Sequence, residues 1–159
     1  MGRRGSRFMD KKAHCWSLIF IKHHLDHFYL DHLLTIWLNR SHGEMTFYLT
    51  QAMTGHGCFR SYLKRFRRAE AGTCLHCCTA EDDAEHALFH CTQWDGERQR
   101  LGDLLGPPLS PDIFMNLMLE EERKWREIED FIEAIMRFKA VQLKWAALPE
   151  GREEEDEAK

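Results

Sequence analysis

Four residues constrain this chain more than any other feature. Cys74, Cys77, His86 and Cys91 stand at C-x2-C-x8-H-x4-C spacing. Two cysteines separated by two residues turn both sulfurs toward one point. A short helix carrying His86, with Cys91 just over one turn beyond it, brings up two further ligands, so the spacing predicts a closed tetrahedral zinc (Zn2+) site. Asp82 or Asp83 is the candidate N-cap of that helix, read over residues 84–90. His76, Cys78 and His90 stand beside the quartet as alternative ligands. Cys77 is preferred to Cys78 because two intervening residues is the commoner knuckle geometry, and His86 to His90 because His90 adjoins Cys91. Further upstream, His23 and His27 are one helical turn apart, but no carboxylate or thiol completes a first shell around them.

A metal reading of the cysteines requires a reducing compartment, and the remainder of the chain agrees with one. No run of 18 apolar residues exists, and the apolar stretch at residues 16–21 is too short for a membrane span or a signal-peptide core. An intracellular location, nuclear or cytoplasmic and not secreted, is expected, with no membrane partner; reduced thiols there favour metal over disulfides. Met1-Gly2-Arg3-Arg4-Gly5-Ser6 formally matches a myristoylation pattern, but a loose tail is the expectation. At 159 residues the chain suits one compact unit or two small ones.

The hydrophobic periodicity is helical throughout and predicts a mainly α fold, a small helical module with a zinc-stapled CCHC knuckle and a long C-terminal helix. Residues 1–20 read as a flexible segment. Residues 21–105 read as a helical region containing the basic helix and the knuckle at 74–91, residues 110–148 as C-terminal helices, and residues 149–159 as a disordered acidic tail. Within 21–38, Leu25, Phe28, Leu33, Ile36 and Trp37 follow a helical stripe. A shorter helix spans 44–54 and is stopped by Gly55 and Gly57, both suited to positive φ, with His56 at the tip of the turn. After the knuckle, Trp94, Arg98, Leu101, Leu104 and Leu105 form a stripe that Gly106-Pro107-Pro108 breaks. Ser110 and Pro111 open a helix over 112–119, as N-cap and first helical residue. The last helix, 121–148, should bury Trp125, Ile128, Ile132, Ile135 and Phe138.

Charge is divided unevenly along the chain. Residues 1–72 carry 12 Lys and Arg against 5 Asp and Glu, whereas residues 73–159 carry 10 against 21, so a polyanion would meet the first half. Much of the positive charge lies at 58–68, where Phe59, Tyr62, Leu63 and Phe66 recur at helical spacing and Arg60, Lys64, Arg65, Arg67 and Arg68 fill the intervening positions. This is the pattern of a basic amphipathic helix with one side packed and the other facing phosphates. Phe89, Trp94 and His76 are candidate stacking faces for bases.

Taken together, several of these residues carry a resemblance. His42-Gly43-Glu44-Met45-Thr46-Phe47-Tyr48-Leu49-Thr50-Gln51, the turn Thr54-Gly55-His56-Gly57-Cys58-Phe59, Tyr62-Leu63, Arg65, and then Cys74, Cys77, Ala84-Glu85-His86 and Cys91 to Trp94 resemble the C-terminal region of arthropod non-LTR (LINE-type) retrotransposon polyproteins. The resemblance covers about residues 36–140. It implies a segment downstream of the reverse-transcriptase domain whose CCHC knuckle engages element RNA or target DNA.

The chain departs from such a polyprotein in one respect that bears on catalysis. No Tyr-x-Asp-Asp or Phe-x-Asp-Asp occurs in it, so the paired aspartates that would hold catalytic magnesium are missing, as is the endonuclease half. A zinc with four protein ligands has no open position for water, Glu85 is not in an H-E-x-x-H arrangement, and Cys58, a thiol among basic residues, has no identifiable base. The expectation is therefore a non-enzymatic module, a detached tail or derived gene, that binds single-stranded or structured RNA or target DNA. The alternatives are a zinc-stapled scaffold that captures a protein partner through the C-terminal helix, and a remnant without a selected role.

Overall fold

The computed structural model describes residues 27–146. The N-terminal segment at 1–20 with its myristoylation pattern, His23 and the acidic tail at 149–159 lie outside the described residues. Six α-helices are described: α1 (His27–Asn39), α2 (Phe47–Thr54), α3 (Arg60–Arg65), α4 (Asp95–Leu105), α5 (Pro111–Glu120) and α6 (Glu122–Ala146). A π-helical turn at His86–His90 and a 3-10 turn at Thr92–Trp94 join the knuckle to α4. The fold is mainly helical, as expected; among the described residues the only extended pairing is one antiparallel bridge between Thr73 and Glu81.

The long helix α6 is the element on which the others assemble. Trp125, Ile128, Ile132 and Ile135 recur at intervals of three and four and are each 1% exposed or less, so they form one inward stripe. α2, α4, α5 and the π-helical turn pack against it, and α1 rests on α5. Phe138, expected to continue the stripe, is 40% exposed; Lys139 occupies the inward position instead and is buried. The reason is periodic: from Ile128, Ile132 and Ile135 the next residue on the same face is four further on, not three. Buried side chains from both sides of the Gly106 break, Leu33 through Met136, form one continuous core.

Other stripes are trimmed in the same way. Leu33 and Trp37 of α1 are buried while Ile36 is exposed; Leu101 and Leu105 of α4 are buried while Leu104 is exposed. α2 begins at Phe47 rather than at residue 44, because the Thr46 hydroxyl accepts from the Leu49 amide and fixes the N-cap there. It ends as the glycines predict, with Gly55 at φ 67° and Gly57 at φ 86°. Ser110 and Pro111 stand at the N-cap and first position of α5.

The α1–α2 connection is held by stacked aromatics. Trp37 and Trp125 lie with centroids 5.1 Å apart, and the Arg40 guanidinium sits 4.3 Å from the first ring and 5.0 Å from the second. Gly43, at φ 78°, crosses the Trp125 face so closely that a Cβ there would fall 2.2 Å from the ring. No side chain fits at this position.

Candidate metal centre

The knuckle is a tight hairpin. The Asp82 amide donates to the Gly72 carbonyl and the Cys74 amide to the Ala80 carbonyl, closing the loop that carries Cys74 and Cys77. Between them the chain turns sharply, the Cys78 amide donating to the Cys74 carbonyl, and Cys78 takes a left-handed backbone conformation at φ 55°. That turn sends the Cys77 sulfur inward and leaves Cys78 exposed, its thiol directed at the Leu75 carbonyl.

The other pair comes from a helical turn of unusual width. Asp83 is its N-cap, its carboxylate accepting from the His86 amide. The Cys91 amide then donates to the His86 carbonyl, five residues back. On an ordinary α-helix, residues five apart would point about 140° away from each other. The wider π turn brings His86 and Cys91 onto one side, a local distortion that recurs at functional sites. Arg98 holds the Cys91 carbonyl while pairing with Asp95, tying α4 to the ligand turn.

The structure brings Cys74, Cys77, His86 and Cys91 together with all donor atoms within 4.8 Å of one another. The Cys74 and Cys91 sulfurs are 3.7 Å apart and the Cys77 sulfur is 3.3 Å from His86 Nε2. The edge of a tetrahedron built on metal–sulfur bonds of about 2.3 Å is about 3.8 Å, so the cluster has the size such a site requires. Soft thiolates with one imidazole suit zinc among the divalent cations. The alternative ligands turn elsewhere: His76 hydrogen-bonds Gln142 at 3.2 Å and lies against Phe138, and His90 is on the surface beside Glu85.

The thiols are not equivalent. Hydrogen bonds from Thr79, backbone first and then side chain, pull the Cys77 thiol down to about 6, whereas burial pushes Cys91 up to about 11. At neutral pH a cation would meet Cys77 as thiolate and would have to displace the Cys91 proton. Cys58 is pushed up to about 11 by burial, against the opposing pull of Lys139. It is a core thiol, near the Met136 carbonyl at 3.7 Å, and not a nucleophile.

A buried ion pair that the sequence reading missed joins this loop to the rest of the protein. Asp82, between the two ligand pairs, binds Lys139 of α6; the two residues are 1% and 6% exposed. Its other carboxylate oxygen accepts from the Arg60 amide at 3.0 Å, and its carbonyl accepts from the Ser61 amide and hydroxyl. Asp82 therefore caps α3, not the His86 turn. A lysine on the apolar stripe of α6 was the available signal, because a core position holds a cation only when a partner meets it.

Through Asp82 the basic segment is fixed to the knuckle. It is shorter as a helix than expected: α3 stops at Arg65, and Arg67 adopts a left-handed conformation at φ 56°. The Arg68 amide donates to the Leu63 carbonyl and the Arg67 amide to the Lys64 carbonyl, a Schellman ending in which arginine takes the place glycine usually holds. Arg67→Gly is therefore expected to stabilise the fold by up to about 1 kcal/mol, strain relief outweighing the added freedom of the unfolded chain. A rise in the thermal midpoint would show it.

Lys64, Arg65, Arg67 and Arg68 are exposed, and Arg60 is partly buried. Two of the candidate stacking faces are not available: Phe89 packs edge-on to Phe114 and Trp94 packs on Phe138, each about nine-tenths buried. In their place His56, Tyr62 and Phe66 form a chain of ring contacts at 4.8 Å each, with Phe66 56% exposed and Arg65 beside both Tyr62 and Phe66. No helix among the described residues is long and apolar enough to cross a membrane.

No family model and no solved structure matches this chain. A relative is the Retrovirus-related Pol polyprotein from type-1 retrotransposable element R1 of Popillia japonica, 31% identical over 88 residues. The match covers 55% of this chain, which spans about a third (36%) of the length of that relative. Over that stretch, the chain is related to retrotransposon Pol polyproteins.

Proposed function

We propose that this chain is a zinc-stapled module that binds RNA or target DNA, in single-stranded or structured form, through the basic segment. The observation that carries the reading is the placement of Lys64, Arg65, Arg67 and Arg68, all exposed, on a segment that Asp82 anchors to the four-ligand cluster. Zinc holds the loop; the loop holds the amide end of α3; the cations and the Phe66 ring face outward. Phosphates neutralise the cations and bases stack on the ring. Four protein donors fill a tetrahedral ion's coordination, which favours a binding role over hydrolysis. The protein-scaffold alternative is favoured less, because two acids of α6, the exposed Glu122 and the half-buried Glu133, are already engaged by Arg126 and Arg137 one turn away.

The test is the dependence of affinity on salt. With four exposed cations on a single strand, log affinity is expected to fall against log salt with a slope of about 3, and replacing Arg65, Arg67 and Arg68 by alanine should lower the slope by about 2. Fluorescence anisotropy across a salt series measures both. A slope near zero for the unmodified protein refutes the reading.

A further inference from the structure

We infer that Phe66 stacks on an unpaired base, so that this module holds a single strand or a loop in preference to a duplex. The inference rests on the nucleic-acid reading above and narrows it to the state of the strand. Neighbouring rings fix the position of the outer one. Tyr62 is half-buried against the core, and Phe66 leans on it with centroids 4.8 Å apart and planes tilted by 51°. His56, held at the tip of the glycine turn, meets Tyr62 edge-on at 4.8 Å. The helix ending itself does not require an aromatic at Phe66. The apolar contact that usually accompanies a Schellman ending is made by the residue after the left-handed one, which here is Arg68.

Charge identifies the ligand. Lys64 and Arg65 precede the ring and Arg67 and Arg68 follow it, with the Arg65 guanidinium 5.6 Å from its centroid. None of the four meets a carboxylate among the described residues, whereas Arg126, Arg137 and Lys139 of α6 are each ion-paired. An apolar protein surface laid over the ring would desolvate these cations without pairing them. A nucleic-acid strand supplies both needs, phosphates for the cations and a flat base for the ring. Phe47 makes the contrast: it is 69% exposed, but Arg137, the cation beside its neighbour Tyr48, is already held by Glu133.

The preference for an unpaired strand follows from what a duplex leaves exposed. Cations alone favour the duplex, whose phosphates are more densely spaced along its axis. Stacked base pairs cover both faces of every base within it, so contact with Phe66 would require a base to be extruded first. The ring is therefore idle on a duplex and contributes on a single strand.

The experiment titrates the full-length, zinc-loaded protein with one labelled oligonucleotide free of self-complementarity, presented alone and as the duplex with its complement, at the same salt. The unmodified protein is expected to bind the single strand more tightly. Phe66→Ala should weaken single-strand binding about 5- to 150-fold while leaving duplex binding within about twofold and the salt slope unchanged, and Phe66→Trp should retain the single-strand affinity. Zinc content and helical circular dichroism check that each variant folds. An equal loss on both forms, no loss on the single strand, or a preference of the unmodified protein for the duplex overturns the stacking assignment and leaves the basic-segment reading intact. An unmodified protein that binds neither form overturns both.

Discussion

Cys91→Ala is expected to release the metal and unfold the knuckle together with the basic segment, while α5 and α6 stay paired. Structural zinc in peptides of comparable size contributes an apparent free energy of about 10 to 16 kcal/mol at neutral pH, as much as the whole stability of a typical domain. Apart from the metal, the loop from Gly72 to Asp82 is held by the closing hydrogen bonds of a short hairpin, by Asp82 at its end and by the His76–Gln142 hydrogen bond, while Leu75 and Cys78 face outward. Removing one thiolate leaves three donors and a cavity. Native mass spectrometry should show the unmodified chain with one tightly held ion and the variant as bare polypeptide. Hydrogen exchange should then rise across residues 60–91 and remain slow in α6, whose inner face is packed by α5. Retention of protection at residues 60–91 without metal would contradict the stapling role. Because α3 is tied to the loop only through Asp82 and local packing, nucleic-acid affinity is expected to fall with the metal even though no ligand is part of the basic segment.

The second large effect is expected at Lys139. Substitution by methionine keeps the aliphatic stem but strands the Asp82 carboxylate, which is 1% exposed, without its cation. Breaking a buried pair on one side typically costs about 3 to 5 kcal/mol, because the remaining charge cannot be resolvated in place. Denaturant unfolding of the zinc-loaded protein should show that loss. Asp82→Asn combined with Lys139→Met should recover much of it, since the amide is neutral and its oxygen can still accept from the Arg60 amide. If the single variant is as stable as the unmodified protein, the pair contributes nothing and the knuckle is positioned by the metal alone.

What the sequence determined follows from local periods and spacing. The helical class, the stops at Gly55 and Gly57, the Ser110-Pro111 start and the four-residue donor set are each set by residues within a turn or two of one another, where backbone sterics and ligand geometry leave few choices. Cys77 and His86 are legible over their neighbours for the same reason. What the tertiary structure decided involves residues distant along the chain. Of the two candidate caps Asp83 takes the His86 turn, and Asp82 goes instead to α3 and Lys139, 57 residues away, since only the packed arrangement places the cation and the amides around it. Phe138 moves outward and Lys139 inward because the register of α6 against the knuckle is fixed by Ile128, Ile132 and Ile135. Phe89 and Trp94 are taken into the core, and Tyr62 and Phe66 are left as the surface rings. A hydrophobic pattern says which residues can be buried; which of them are covered depends on what other elements bring to that face.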